Sequence, residues 1–206
     1  MARERATALL VDFDGVLRRW DPAAVGEVER RYELPAGVLL ETAMRWALLQ
    51  PAVTGQVTHA DWLATVTDAL AVATGDPDRA KAAVTEWQLY RGEVDREVLD
   101  FVRAVRAAGV RVGLATNATD ALDADLTALG LTDEFDEVIN SSVLGAAKPS
   151  REYFTQACRL VGAAPARTLF VDDSDRAVAG ARAAGLSAYR WTGPADLPYL
   201  RAALGL

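Results

Sequence analysis

The sequence predicts an α/β fold: parallel strands joined by helical crossovers, opened after the first strand by an all-helical insert. Three observations predict it. From Asp95 onward, short β-rich runs alternate with helical stretches that end in glycine or another break, the pattern of right-handed βαβ units. Between the first strand and Asp95 no convincing β-run appears, and helical periodicity takes over. Two of the β-runs close on paired aspartates, at the strand end where open parallel sheets bind ligands.

In chain order, the apolar run Ala8 to Val11 is the first strand. Pro22 to Tyr32, Ala36 to Leu49, Ala60 to Thr74 and Asp78 to Gln88 then read as four helices. Thr58 and Asp61 are spaced as a capping box, and Asp76-Pro77 forms a helix start. Val98 to Ala108 is a helix stopped by Gly109, Val110 to Ala115 a strand, and Asp120 to Leu129 a helix stopped by Gly130. Val138-Ile139 is a short strand, Ser150 to Val161 a helix, Thr168 to Val171 a strand, Ser174 to Ala184 a helix, and Ala188 to Arg190 the last strand. The chain thus divides into a five-stranded core, residues 1–17 and 95–206, and a helical insert, residues 18–94.

With 206 residues, 51% apolar and 25% charged, the chain has the balance of a soluble globular protein and room for one α/β core with a smaller insert. A net charge of -7 gives no basic field for a nucleic-acid backbone or an anionic membrane. It also opposes an anionic substrate, so a phosphate site needs local positive charge. Cys158 is the only cysteine; no internal disulfide can form, and its amphipathic helical setting reads as a buried, inert thiol. The charged start Met1-Ala-Arg-Glu-Arg precedes an apolar run too short for a signal peptide or a membrane span, so a cytoplasmic location is the default expectation.

The chemistry collects at the strand ends. Leu9-Leu10-Val11-Asp12-Phe13-Asp14-Gly15 puts two carboxylates, two residues apart, on one side of an extended chain. They can be turn formers, but carboxylates packed together at the end of a buried strand repel each other and lose hydration, which calls for a cation or a function. The next strand runs into Thr116-Asn117, whose hydroxyl and backbone amide suit a phosphoryl oxygen but equally suit a turn. Lys148, before Pro149, is one of two lysines, and alone would read as a solvated charge. The strand Leu169-Phe170-Val171 again closes on paired carboxylates, Asp172 and Asp173. Together these groups suit a dianionic phosphoryl group and a hard cation such as Mg²⁺, with a carboxylate as nucleophile.

These segments resemble the four motifs of the haloacid dehalogenase superfamily: Asp12-Phe-Asp-Gly-Val-Leu, the Thr116 strand end, Lys148-Pro149, and Asp172-Asp173-Ser174 followed by Ala179-Gly-Ala-Arg-Ala-Ala-Gly185. The resemblance covers essentially the whole chain. It implies a Rossmann-like core with strand order 5-4-1-2-3 and a helical cap inserted after the first motif. It also implies a Mg²⁺-dependent phosphohydrolase acting on a small phosphorylated metabolite. In that reading Asp12 is the nucleophile and Asp14 the general acid and base, while Thr116, Asn117 and Lys148 contact the phosphate. Mg²⁺ is held by Asp12, the backbone carbonyl of Asp14, and Asp173, with Asp172 beside it. Many relatives carry Asp or Asn where this chain has Ala177, a departure in the outer metal shell.

Other readings stay open at this level. A sugar-phosphate mutase shares every core motif. A dehalogenase lacks the second aspartate of the first motif and needs no metal. A phosphonate hydrolase would place a Schiff-base lysine in the cap, where Lys81 reads as a solvated surface residue. A receiver domain has its acidic pair in a different order, and a non-catalytic scaffold can share the fold. His59 falls at a helix start and reads as a surface residue; Arg18, Arg19 and Trp20 read as substrate contacts or a hinge. Trp46, Trp62, Trp87 and Tyr90 are as easily core as pocket. The substrate and the oligomeric state are not legible.

Overall fold

The computed structural model describes residues 5–206; apart from Arg5, the charged start read above lies outside them. The strands are β1 (Ala8–Val11), β2 (Arg18–Arg19), β3 (Glu93–Val94), β4 (Arg111–Thr116), β5 (Glu137–Asn140), β6 (Thr168–Asp172) and β7 (Ser187–Arg190). Five of them form one sheet in the order β5-β4-β1-β6-β7, every pair parallel. With β2 and β3 set aside, that sheet read from the β7 edge runs 5-4-1-2-3.

Alternation along the central strand separates two cores, as the two-residue period of a strand requires. Leu9 and Val11 face a cluster that includes Leu99 and Phe101, whereas Ala8 and Leu10 face one that includes Phe154 and Phe170. Because all five strands are parallel, β1, β4 and β6 end at the same edge. Val11 is in register with both Leu114 and Val171, so Asp12 emerges level with Ala115, one residue before Thr116, on one side and with Asp172 on the other.

Residues between β1 and β4 are helical up to β3: α1 (Pro22–Arg31), α2 (Val38–Ala43), α3 (Trp46–Val53), α4 (His59–Thr74) and α5 (Pro77–Trp87). They bury a cluster of their own that includes Leu39, Trp62, Val66, Leu70 and Val84. The capping box of Thr58 and Asp61 is formed at the start of α4, and Asp76 caps α5 with Pro77 in its first turn. One helix was expected over Ala36 to Leu49; the chain breaks it at Arg45, which has an extended ψ of 116°. A new helix starts there, Arg45 O accepting from Leu48 N and Leu49 N at 2.8 and 3.0 Å, and Pro51 lies within it. The ribbon of β2 with β3 was not foreseen, because two residues per strand carry no period.

The remaining helices are α6 (Arg96–Ala107), α7 (Leu122–Ala128), α8 (Ser141–Leu144), α9 (Arg151–Val161), α10 (Asp175–Ala183) and α11 (Leu197–Leu204). Among the described residues no helix is long and apolar enough to cross a membrane. Cys158 is buried in α9, and burial raises its thiol pKa, in keeping with an inert core residue.

Candidate active site

Asp12 follows β1 directly, its backbone amide donating to Val171 O at 2.9 Å. Its carboxylate is buried, and Lys148 reaches it: Nζ lies 2.7 Å from Asp12 Oδ1 and 2.6 Å from Asp172 Oδ2. Lys148 is itself only 7% exposed, which removes the reading of a solvated surface charge. The Asn117 carboxamide fixes its place: Lys148 N donates to Oδ1 at 2.8 Å, and Nδ2 donates to Lys148 O at 3.0 Å. Helix α10 packs against the same loop through Gly180, where a Cβ would fall 2.5 Å from Pro149 O. That close approach gives the small-residue run after Asp173 a physical reason.

Electrostatics in this cluster are strained by burial. Asp12 is pushed up from 3.8 to about 8, chiefly by burial, with Lys148 pulling it down and Asp172 pushing it further up. Burial works against the Lys148 ammonium, but Asp12 and Asp172 outweigh it and hold its pKa above the ordinary value. Burial, and then Asp172, also raise the Asp173 carboxyl. The Tyr153 hydroxyl donates to Ile139 O at 3.0 Å beneath the cluster, and burial with the nearby Asp12 and Asp172 raises its pKa strongly. One ammonium therefore faces three crowded carboxylates.

That excess of negative charge is the test of a cation site. Asp12, Asp172 and Asp173 each offer an oxygen, all within 4.8 Å of one another, and a hard divalent cation suits such an oxygen set. Asp172 is already engaged, Oδ2 by Lys148 and Oδ1 by the amide of Ser174 at 2.7 Å, which leaves Asp12 and Asp173 as the freer donors. Asp173 also lies tight against the first loop: a Cβ on Gly15, whose φ is +80°, would fall 2.2 Å from Asp173 Oδ2. The position four residues on, Ala177, is buried at the start of α10 and lines the same cleft without a polar side chain.

Asp14 is brought to the cleft, but its carboxylate is turned away from the acidic trio. Arg18 and Trp20 hold it, Trp20 Nε1 donating to Oδ1 at 2.7 Å. Of the residues expected at the phosphate, Thr116, Asn117 and Lys148 line the cleft together with Asp12, Asp14, Asp172 and Asp173. The Asn117 side chain is spent on Lys148, so a phosphate contact there falls to its backbone amide.

A second cavity, of about 170 Å³, shares Asp14, Trp20 and Asn117 with this cleft. His59 lines it, which corrects the surface reading. The loop after Asn117 meets the start of α4, where His59 N donates to Asp120 Oδ1 at 2.6 Å and the ring Nδ1 lies 2.9 Å from Thr119 Oγ1. Trp62, Trp87 and Tyr90 belong to this cavity and Trp46 to the cleft. Lys81 is exposed, as read. Sequence reasoning missed Tyr153, Thr119 and Asp125; a tyrosine in an amphipathic helix and turn residues in a loop carry no distinguishing signal.

A family model described as haloacid dehalogenase-like hydrolase matches residues 6–185. The Bos taurus haloacid dehalogenase-like hydrolase domain-containing protein 3 is 30% identical over 69% of this chain, and the match spans only 60% of that relative's length. Phosphatase MT3486 of Mycobacterium tuberculosis is 29% identical, covering 89% of this chain and 86% of its own. The solved HAD family enzyme bt-2542 of Bacteroides thetaiotaomicron has a TM-score of 0.75 at 20% identity, covering 96% of this chain and 98% of that one, which shows the fold. That enzyme has also been solved with magnesium and inorganic phosphate. With its fold, its strand-end residues and a family model spanning residues 6–185, this chain belongs to the haloacid dehalogenase-like hydrolases and is an enzyme of that family.

Proposed function

We propose that this hydrolase is a Mg²⁺-dependent phosphatase of a small phosphorylated metabolite, working through an aspartyl phosphate on Asp12. Residues 18–94 are then a cap over a catalytic core of 1–17 and 95–206. The observation that carries the reading is Lys148 bridging Asp12 and Asp172 at 2.7 and 2.6 Å, a buried cation beside a carboxylate at the end of the central strand. The relative named a phosphatase and the neighbour solved with magnesium and phosphate support it.

In this reading an Asp12 oxygen attacks phosphorus, and the bond to the leaving oxygen breaks as Asp14 gives that oxygen a proton. Water then attacks the aspartyl phosphate, Asp14 takes its proton, and the Asp12 carboxylate returns as inorganic phosphate departs. Lys148, Thr116 and the Asn117 amide hold the phosphoryl oxygens. Asp12, Asp173 and the Asp14 carbonyl would hold Mg²⁺, which when bound would supply charge neutralisation. Asp14 lines both cavities, where a proton donor to the bond between phosphoryl group and substrate body belongs.

The test is turnover of para-nitrophenyl phosphate with Mg²⁺ and in chelator, alongside Asp12→Asn. Expected are phosphate release that needs the metal and a loss of at least ~10³-fold in the variant. Undiminished hydrolysis by Asp12→Asn overturns the mechanism. Transfer of the phosphoryl group within a sugar phosphate, without phosphate release, would mark a mutase.

A further inference from the structure

The cavity beyond Asp14 carries a chemical signature of its own. On the proposed reading, a substrate with its phosphoryl group over Asp12 has its body in this space, since the two cavities meet at Asp14, Trp20 and Asn117. A cavity of about 150 Å³ takes one benzene; this one, at about 170 Å³, has room for one six-membered ring. Four large aromatic side chains, Trp20, Trp62, Trp87 and Tyr90, form part of its walls. Trp62 and Trp87 meet edge to face at 6.0 Å, as do Trp20 and Tyr90 at 5.7 Å.

Two buried ring nitrogens here have no partner: Trp62 Nε1 and His59 Nε2. Trp62 is only 5% exposed, and an indole N–H left buried and unpaired is costly unless a ligand meets it. Thr119 Oγ1 accepts from Ala121 N at 3.3 Å and can still donate its hydroxyl hydrogen to His59 Nδ1 at 2.9 Å. In that tautomer Nε2 carries the proton, and the cavity offers two neutral donors. Its charged groups are already matched, Arg18 with Asp14 and Asp125, and Arg91 with Asp125. A polyhydroxylated body would bring several hydroxyls into walls that are mostly carbon.

We infer that the substrate is a phosphate monoester of a flat, single-ring alcohol or phenol carrying a neutral hydrogen-bond acceptor, such as a carbonyl, on the ring. The ring lies among Trp20, Trp62, Trp87 and Tyr90, and the acceptor meets Trp62 Nε1 and His59 Nε2.

The experiment compares kcat/KM for 4-acetylbenzyl phosphate, benzyl phosphate and glucose 6-phosphate, whose leaving groups are all alkoxides. The expected order is acetylbenzyl, then benzyl, then glucose ester. Trp62→Phe keeps a ring and removes the donor, so the preference for the acetyl ester over its parent should shrink by about tenfold, the worth of one hydrogen bond. Because that variant can fold poorly, binding of 4-acetylbenzyl alcohol to the wild-type protein, followed by tryptophan fluorescence, gives a second reading without turnover. Saturable quenching by that alcohol, absent with glucose, is expected. Equal or better use of glucose 6-phosphate, an unaltered preference in a folded Trp62→Phe, or no quenching overturns the inference and leaves the phosphatase reading intact. Hydrolysis of none of the esters overturns the phosphatase reading, while the quenching still decides what the cavity accepts.

Discussion

Arg18 grips both oxygens of the Asp14 carboxylate, Nε to Oδ1 at 2.7 Å and Nη2 to Oδ2 at 3.0 Å. The guanidinium is buried, reaches Asp125 at 2.8 Å, and stacks over Phe13 and Trp20 at 4.1 and 4.5 Å. Two carboxylates and two rings thus fix one cation. For Asp14 to give or take a proton at a substrate, one of these bonds must yield, so Arg18 is a positioning residue for the proposed acid and base.

Replacing Arg18 by Met therefore has two expected consequences. Asp14 and the mostly buried Asp125 each lose one partner, Asp14 keeping Trp20 and Asp125 keeping Arg91, and stability falls, read from chemical denaturation. Asp14 also loses the grip that orients it, so the first step on benzyl phosphate should slow more than that on para-nitrophenyl phosphate, whose leaving group needs no proton. Equal first steps on the two substrates in a folded variant would leave Arg18 as scaffold only.

Asp12 sets the pH dependence of the metal-free protein. Its folded pKa of about 8 stands above the ordinary 3.8, so the folded state holds a proton that the unfolded chain releases. The sign follows: this stabilising contribution is full below about pH 4 and is lost as pH rises through about 8. In chelator, melting temperature should fall across that window, and Asp12→Asn should flatten the fall. Mg²⁺ must displace the same proton, so its affinity should grow with pH from 6 to 8. Calorimetry in buffers of different ionisation enthalpy would detect the released proton; pH-independent affinity would contradict the site.

Gly15 offers a test of the metal site that substitutes none of its carboxylate residues. Its φ of +80° disfavours any side chain, and a Cβ would sit 2.2 Å from Asp173 Oδ2. Gly15→Ala should push Asp173 out and weaken Mg²⁺ binding by at least ~10-fold, the order expected when a ligand's support is lost. Titration of Mg²⁺ by calorimetry reads the effect directly. Unchanged affinity would remove Asp173 from the metal set.

Much of this arrangement was legible because strand ends are local features. The runs Leu9-Leu10-Val11 and Leu169-Phe170-Val171 announce buried strands, and the carboxylates that close them had to share one edge once the sheet was parallel. Lys148 could be picked out only by its company, since nothing in a lysine before a proline signals that it will be buried between two carboxylates. The roles of Asn117, His59 and Arg18 rest on partners 31, 60 and 107 residues away in the chain. No period or cap encodes such pairings. The break at Arg45 and the unpaired nitrogens of Trp62 and His59 are likewise products of packing.

Asp14 decides among the chemistries, because a proton donor beside the leaving oxygen belongs to phosphoryl transfer and not to carbon–halogen cleavage. In the proposed mechanism it protonates the departing oxygen as general acid and then, as general base, activates the water that attacks the aspartyl phosphate. Substrates separate the two duties. With benzyl phosphate, whose alkoxide leaves poorly, Asp14→Asn should impair both steps by about 10²-fold or more. With para-nitrophenyl phosphate, whose leaving group needs no proton, mainly the second step should suffer. That variant should then release nitrophenol in an early burst and accumulate phosphoenzyme, which acid quench and mass spectrometry of the Asp12 peptide would detect. Equal losses on the two substrates in single-turnover measurements of the first step would contradict acid catalysis. Asp14 would then be left to the carbonyl it offers the metal and to its grip on Arg18.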